Sequence, residues 1–229
     1  MQRGRNEACL SSLGMDHSTV PSDNHPFRAY PLAVRLLRDP QYWSSSVETF
    51  GKHSQGESDR FGYFGGTLAT PKTIPNRFIL RRRDLSPLPT TRPPWPDPTI
   101  NPLRSQPSVL PPDVIVLLEL GKPGVSGHAS TAHGGVIASC FDEAMHKAIE
   151  THLPRTGRVE RPYTAQLDIR YTRPVRVPGL LVIRAKVVAR IGRKFWVRAH
   201  ASQELDTGEE IFTTDSIALF LMVAPSTRL

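Results

Sequence analysis

Within TAHGGVIASCFDEAMHKAIE (131–150), a few residue types at fixed spacing could do chemistry. His133-Gly134-Gly135 stands where an amphipathic helix would start, and Asp142 follows nine residues after the histidine. A helix N-terminus leaves backbone N–H groups free and carries a partial positive charge, so it can polarise a carbonyl and stabilise an oxyanion. Glycines there admit a ligand close to the backbone. His133 could fix the loop or donate a further hydrogen bond. The plainer use of the glycine pair is tight packing of helix on sheet. Asp142 lies well away from the centre of the helix's apolar stripe, and Glu143 lies nearer its edge. The usual fate of either acid is a solvated helix-face charge. At about 1.5 Å per residue, Asp142 is roughly 13 Å from His133 along the helix. One substrate atom cannot touch both within one chain. If both act on one substrate, two such helices must lie antiparallel about a two-fold axis, which predicts an obligate dimer with two composite sites.

The elements that must hold these residues are legible in the periodicity. Val136, Ile137, Cys140, Phe141, Ala144, Met145, Ala148 and Ile149 recur at helical spacing and form one wide buried stripe, which ends around His152-Leu153-Pro154. Cys140 falls inside that stripe and reads as a small hydrophobe, not a nucleophile. His128, His146 and His152 have no metal-ligand spacing and read as loop or surface residues. DVIVLLEL (113–120) is an apolar run readable as a buried strand. In YTAQLDIRYT a clean period of two sets Tyr163, Ala165, Leu167, Ile169 and Tyr171 against Thr164, Gln166, Asp168, Arg170 and Thr172. GLLVIRAKVVARI puts Ile183, Ala185, Val187 and Ala189 on one face, and FWVRAHASQE alternates Phe195, Val197, Ala199 and Ala201 with Trp196, Arg198, His200 and Ser202. Gly192-Arg193-Lys194 and Asp206-Thr207-Gly208 read as hairpin turns. IFTTDSIALFLMV supplies the last strand. One strand, a long helix and four strands, mostly antiparallel neighbours, give an α+β domain in which the sheet wraps the helix.

Ahead of this lies a less informative half. Of the 22 prolines, ten fall between Pro87 and Pro112, where no ladder or helix can persist. This tract (87–112) reads as a connector or a wrapping strap. It sets the division at 1–109, an N-terminal extension, and 110–229, the main domain. Residues 1–25 read as disordered, 31–39 as a short helix beginning at Pro31, and NRFILRRR as a strand. The Gly-rich stretch 48–69 lacks the spacing of a phosphate-binding loop and a preceding strand.

Composition bounds the function. The net charge of +8 is spread over both halves and favours polyanions in general, such as phosphorylated cofactors or acidic carrier proteins. No nucleic-acid motif accompanies it, so a nucleic-acid partner is not expected. Cys9 and Cys140 suggest neither a disulfide framework nor a metal site and fit a reducing compartment. No apolar run approaches the roughly 20 residues needed to span a bilayer. The first residues make a poor secretory signal and a weak transit peptide. The expectation is an intracellular soluble protein, cytoplasmic, with a mitochondrial location as the alternative.

GHASTAHGGVIASCFDEAM at the helix start, TAQLDIRYTRPV (164–175) after the helix and GRKFWVRAHASQELDTGEEIFTTDSIALFLMV (192–223) at the end resemble the hot-dog-fold acyl-CoA thioesterases. The likeness is to the branch with an HGG-x6-D/E signature and covers roughly residues 110–225. A leading segment with DPQYW looks like fungal members. The resemblance implies a hot-dog fold and hydrolysis of an acyl thioester, carried on coenzyme A or an acyl-carrier phosphopantetheine, in fatty acid or polyketide metabolism. It implies no resident cofactor or metal, and a homodimer or dimer of dimers. It singles out Asp142 as general base or nucleophile, with His133, Gly134 and Gly135 at the oxyanion. Thr164 would orient the attacking water, although β-propensity alone also explains a threonine there. Arg193 and Lys194 could bind coenzyme A phosphates. Two other readings stand beside it: a non-catalytic acyl-thioester-binding protein, and a hot-dog hydratase or dehydratase, which resembles a different arrangement without HGG-x6-D.

Overall fold

In a computed structural model, residues 25–44, 48–49, 62–96, 106–154 and 161–224 are described; the segment read as disordered lies, but for His25, outside them. The long amphipathic stripe forms helix α2 (Gly134–Thr151), seven-residue α1 (Pro31–Leu37) preceding it. The strands are β1 (Tyr42–Ser44), β2 (Glu48–Thr49), β3 (Asn76–Arg82), β4 (Val114–Leu120), β5 (Ser126–His128), β6 (Thr131–Ala132), β7 (Arg161–Tyr171), β8 (Gly179–Ile191), β9 (Lys194–Glu204) and β10 (Glu210–Val223). One antiparallel sheet runs β1-β3-β4-β8-β9-β10-β7, with β2 beside β3; β5 and β6 form a separate small hairpin. The two expected turns close the β8–β9 and β9–β10 hairpins, each with a glycine at positive φ, Gly192 at 56° and Gly208 at 81°.

The inner face of the sheet curls over α2. Ile137, Cys140, Phe141, Ala144, Met145, Ala148 and Ile149 pack against Val116 and Leu118 of β4, Leu181 and Ile183 of β8, Val197 and Ala199 of β9, and Ala218 and Phe220 of β10. Each large apolar side chain sealed here is worth about 1.5–3 kcal/mol, which holds the helix at a fixed depth and rotation. This is the α+β hot-dog arrangement expected from the sequence, an antiparallel sheet wrapped around one long helix.

The sheet draws strands from both sides of the proline tract. NRFILRR pairs with β4 as β3, and its outward Phe78 and Leu80 join Phe27, Leu32, Leu37 and Tyr42 in a second core on the outer face. The carboxylate of Glu204 accepts the Leu32 N–H at 2.8 Å and so caps the start of α1. The described parts of the tract lie on the sheet as a strap. Pro89 O accepts the Arg190 N–H at 2.8 Å, Trp95 packs on Trp196, and Pro107 O accepts from the buried Arg198 guanidinium at 2.6 Å.

Candidate active site at the helix start and its flank

Two backbone hydrogen bonds hold the chain as it arrives at α2. Ala132 N–H bonds Val175 O and His133 N–H bonds Val125 O, both at 2.8 Å, so the first helical residues are fixed before the helix begins. His133 is the N-cap: its Nδ1 accepts the Gly135 N–H at 3.0 Å. An accepting Nδ1 places the proton of the neutral ring on Nε2, which leaves a donor on an exposed side chain. Gly135 has a steric reason in this arrangement, because a Cβ there would stand 3.1 Å from His133 Nδ1 and Cε1. The Gly134 N–H has no partner among the described residues. Its carbonyl accepts from the Tyr171 hydroxyl at 2.7 Å, and burial raises that phenol above its ordinary range, keeping it a neutral donor. Sequence reasoning passed over Tyr171; its place in the alternation beside Leu167 and Ile169 was the signal that it faces the helix.

Asp142 and Thr164 come together. The Thr164 hydroxyl donates to Asp142 Oδ1 at 2.5 Å, and among the described residues Asp142 has no salt-bridge partner. Getting Thr164 there required a departure from the clean period of two. That alternation sets Thr164 opposite Leu167, Ile169 and Tyr171, and those three face the helix side, so Thr164 would point away from it. The register along β10 runs Leu219 to Gln166 and then Phe220 to Thr164, leaving Ala165 as an extra residue. This β-bulge reverses the phase: Pro162 and Thr164 turn inward opposite Met222 and Phe220, while Tyr163 turns out, 56% exposed. A second bulge at Val188 takes Ala189 off the inner face that Ile183, Ala185 and Val187 share, where the sequence had all four together, and sets it beside Trp196 on the outer one.

The neighbouring acid has a different occupation. Glu143 projects to the other flank of α2, where Arg77 of β3, almost fully buried, donates to its Oε1 at 2.7 Å. Arg77 also lies over the Phe64 ring, and the Tyr63 hydroxyl meets Ser139 Oγ at 3.4 Å. The N-terminal half thus clasps one side of the helix and leaves the Asp142 side to β7. Cys140 is fully enclosed and burial pushes its thiol up to about 12, which makes it inert as a nucleophile. His152 is not the surface residue that its sequence context suggested. It caps the C-terminus of α2 and bonds buried Asp113 at 2.8 Å, because the helix end tucks under β4. His128 is exposed and His146 pairs with Glu150 at 3.2 Å. No group of three metal-ligating side chains exists among the described residues, and no described helix is long and apolar enough to cross a membrane.

Arg193 and Lys194 are exposed at the β8–β9 turn, apart from Asp142 and Thr164. Lys194, Leu221 and Tyr163 share one cross-strand row, so Lys194 is two strands, about 10 Å, from the residue before Thr164. The side chains of Lys194 and Thr164 leave the sheet on opposite faces.

Comparison with known proteins bears on the same segment. The family model described as the thioesterase superfamily matches residues 129–206, which run from just before the helix start to the β9–β10 turn. Solved structures similar to the chain include a Bacillus halodurans protein with CoA, at 25% identity and a TM-score of 0.41, covering 48% of this chain and 66% of that one. A thioesterase family protein from Silicibacter pomeroyi is 19% identical over 52% of this chain and 83% of that one, with a TM-score of 0.43. A hypothetical thioesterase from Streptococcus pneumoniae with coenzyme A is 14% identical over 50% and 83%, with a TM-score of 0.40. No curated protein matches the chain. The stretch similar to the thioesterase-superfamily model, residues 129–206, includes the helix start, Asp142 and Thr164.

Proposed function

We propose that the chain hydrolyses acyl thioesters to a free acid and a thiol, at two composite sites formed when β7 pairs with β7 of a second copy. The observation that carries this is the Thr164–Asp142 contact on a helix whose start keeps an unpartnered backbone N–H. The superfamily match supports the reaction class. β7 is the outermost strand on its side of the sheet, and Tyr163, Thr164, Ala165 and Gln166 are exposed along it. An open ladder of that kind favours pairing with another strand. Antiparallel pairing about a two-fold axis brings the helix start of one copy toward Asp142 of the other and spans the roughly 13 Å that separate them within a chain.

In such a site the Gly134–Gly135 end of the helix receives the thioester oxygen, where N–H groups and the helix dipole favour the developing negative charge. His133 Nε2–H lies at the same helix end as a further donor. Asp142 either takes a proton from the attacking water or attacks the carbonyl carbon itself and forms an anhydride that water then opens. Thr164 holds the carboxylate by its hydroxyl and orients the water. A C–O bond forms, the C–S bond breaks, and the thiolate leaves with a proton from solvent. Arg193 and Lys194 supply cations for the phosphates of a coenzyme A or phosphopantetheine carrier.

Continuous thiol detection with full-length protein and a panel of acyl-CoA and acyl-carrier substrates tests this. Saturable thiol release from at least one acyl thioester is expected. Tight binding across the panel without turnover would instead make the chain a non-catalytic thioester-binding protein.

A further inference from the structure

The first two carbonyls of α2 are both held by side-chain hydroxyls. The Tyr171 hydroxyl, at the end of β7, donates to Gly134 O at 2.7 Å. The Ser139 hydroxyl, one turn along the helix, donates to Gly135 O at 3.0 Å. Only the first of these lies on a path to His133. Gly134 O and the Gly135 N–H belong to one planar peptide unit, and that N–H donates to His133 Nδ1 at 3.0 Å. Tyr171, the peptide and the imidazole thus form a chain of hydrogen-bonded groups that ends at His133 Nε2. A hydrogen bond accepted by the peptide oxygen polarises the unit and strengthens donation from its N–H. A ring nitrogen that accepts carries no proton, so the chain keeps the proton of the neutral ring on Nε2.

The strand fixes the phenol where this chain requires it. Tyr171 pairs with Thr214 of β10, and the next two N–H groups, of Thr172 and Arg173, both bond Thr213 O, at 2.9 and 3.1 Å. The ring lies close over Gly134, where a Cβ would stand 3.4 Å from the hydroxyl oxygen and 3.5 Å from Cζ. We propose that Tyr171 is a positioning residue for the helix start: it holds the Gly134–Gly135 peptide so that the Gly135 N–H stays on His133 Nδ1. The Gly134 N–H and the His133 Nε2–H are then the donors left for a substrate oxygen, and the Gly135 N–H is not one of them. The effect of Tyr171 on rate rests on the hydrolytic reading above; its effect on the His133 ring does not.

Tyr171→Phe keeps the ring and removes the donor, with the fold checked by circular dichroism. Nitrogen NMR of the full-length protein carrying isotopically labelled histidine reads the His133 ring directly, its signals identified by their absence in His133→Gln. At alkaline pH the parent should show Nδ1 as an unprotonated acceptor and Nε2 as the protonated nitrogen. In Tyr171→Phe the two resonances should move towards each other as the Nδ1–H form becomes populated. Tyr63→Phe removes a hydroxyl that meets Ser139 instead, and should leave them unmoved. With a thioester that the parent hydrolyses, Tyr171→Phe should lower kcat about fivefold and leave KM unchanged. His133 resonances identical in Tyr171→Phe and the parent overturn the proposal, and so does an unchanged kcat beside shifted resonances. A parent that hydrolyses no thioester refutes the hydrolytic reading alone, and the resonances then decide on Tyr171 by themselves.

Discussion

Asp142 and Glu143 are adjacent in sequence and opposite in use. Glu143 is committed to Arg77, a buried cation, whereas Asp142 meets, among the described residues, a single hydroxyl on one of its two oxygens. A carboxylate neutralised by an arginine is a poor base; one held by a threonine remains a competent one. Thr164→Ala removes a hydrogen bond to a charged group, a loss of about 1.5–3 kcal/mol, or roughly ten- to hundredfold in kcat if the bond matters chiefly in the transition state. Thr164→Ser, which keeps the hydroxyl, should retain most of the rate. Steady-state kinetics on both variants check this, and equal activity of Thr164→Ala and the parent would remove Thr164 from the mechanism. His133, Gly134 and Asp142 were legible as a constellation because the helix period is long and regular. The specific reason for Gly135 was not, since it depends on where the His133 ring folds back, and local spacing does not encode that.

At the level of elements, the bulged strands explain most of what sequence periodicity missed. A period-of-two reading presumes an unbroken ladder, but a sheet that curls around a helix takes up extra residues at Ala165 and Val188. The inward and outward rows of β9 were read correctly because its bulge partners lie on other strands. The outer face of β8, β9 and β10 carries an unusual load of buried charge. Arg184 bonds Glu210 at 2.7 Å, Arg198 holds Asp215 through two contacts at 2.9 Å, and His200 sits among them. Burial, then the Arg184 and Arg198 charges, lower the His200 pKa to about 4. Between that value and the ordinary 6.5 the unfolded chain binds a proton that the folded chain does not, so stability falls as pH drops through this window. The loss reaches up to about 3 kcal/mol near pH 4. Denaturant unfolding at pH 7 and pH 4.5 should show it, and His200→Gln should flatten that part of the profile. An unchanged slope in His200→Gln would place the pH dependence elsewhere.

For the whole molecule, the surprise is how far the N-terminal half enters the hot-dog sheet. Its strand β3 was visible as NRFILRRR, but nothing local says that Arg77 will cross to α2 or that Trp95 will dock on Trp196; both contacts join residues more than 60 positions apart. We propose that residues 1–109 act as an integral extension of the domain at 110–229. A chain starting at Pro111 loses β3 beside β4, the apolar cover of Phe27, Leu32 and Leu37, and the Pro107 carbonyl on Arg198. It leaves Glu143 without its buried cation and exposes Leu117, Leu180 and Val182. Such a chain should be largely insoluble or melt well below the full-length protein; thermal unfolding followed by circular dichroism decides. A soluble fragment with an unchanged Tm would show that the extension is dispensable.

The central claim is that each site takes its helix start from one copy and its acid from the other, and complementation tests it most directly. Asp142→Asn removes the acid, and Gly135→Val drives a side chain into the His133 ring at the helix start. Each homodimer should be nearly inactive. A heterodimer purified through two affinity tags unites an intact helix start from the first chain with an intact Asp142 from the second, so it should recover about half of the parent's thiol release. A heterodimer as inactive as its two parents would place the helix start and Asp142 of each working site in the same chain.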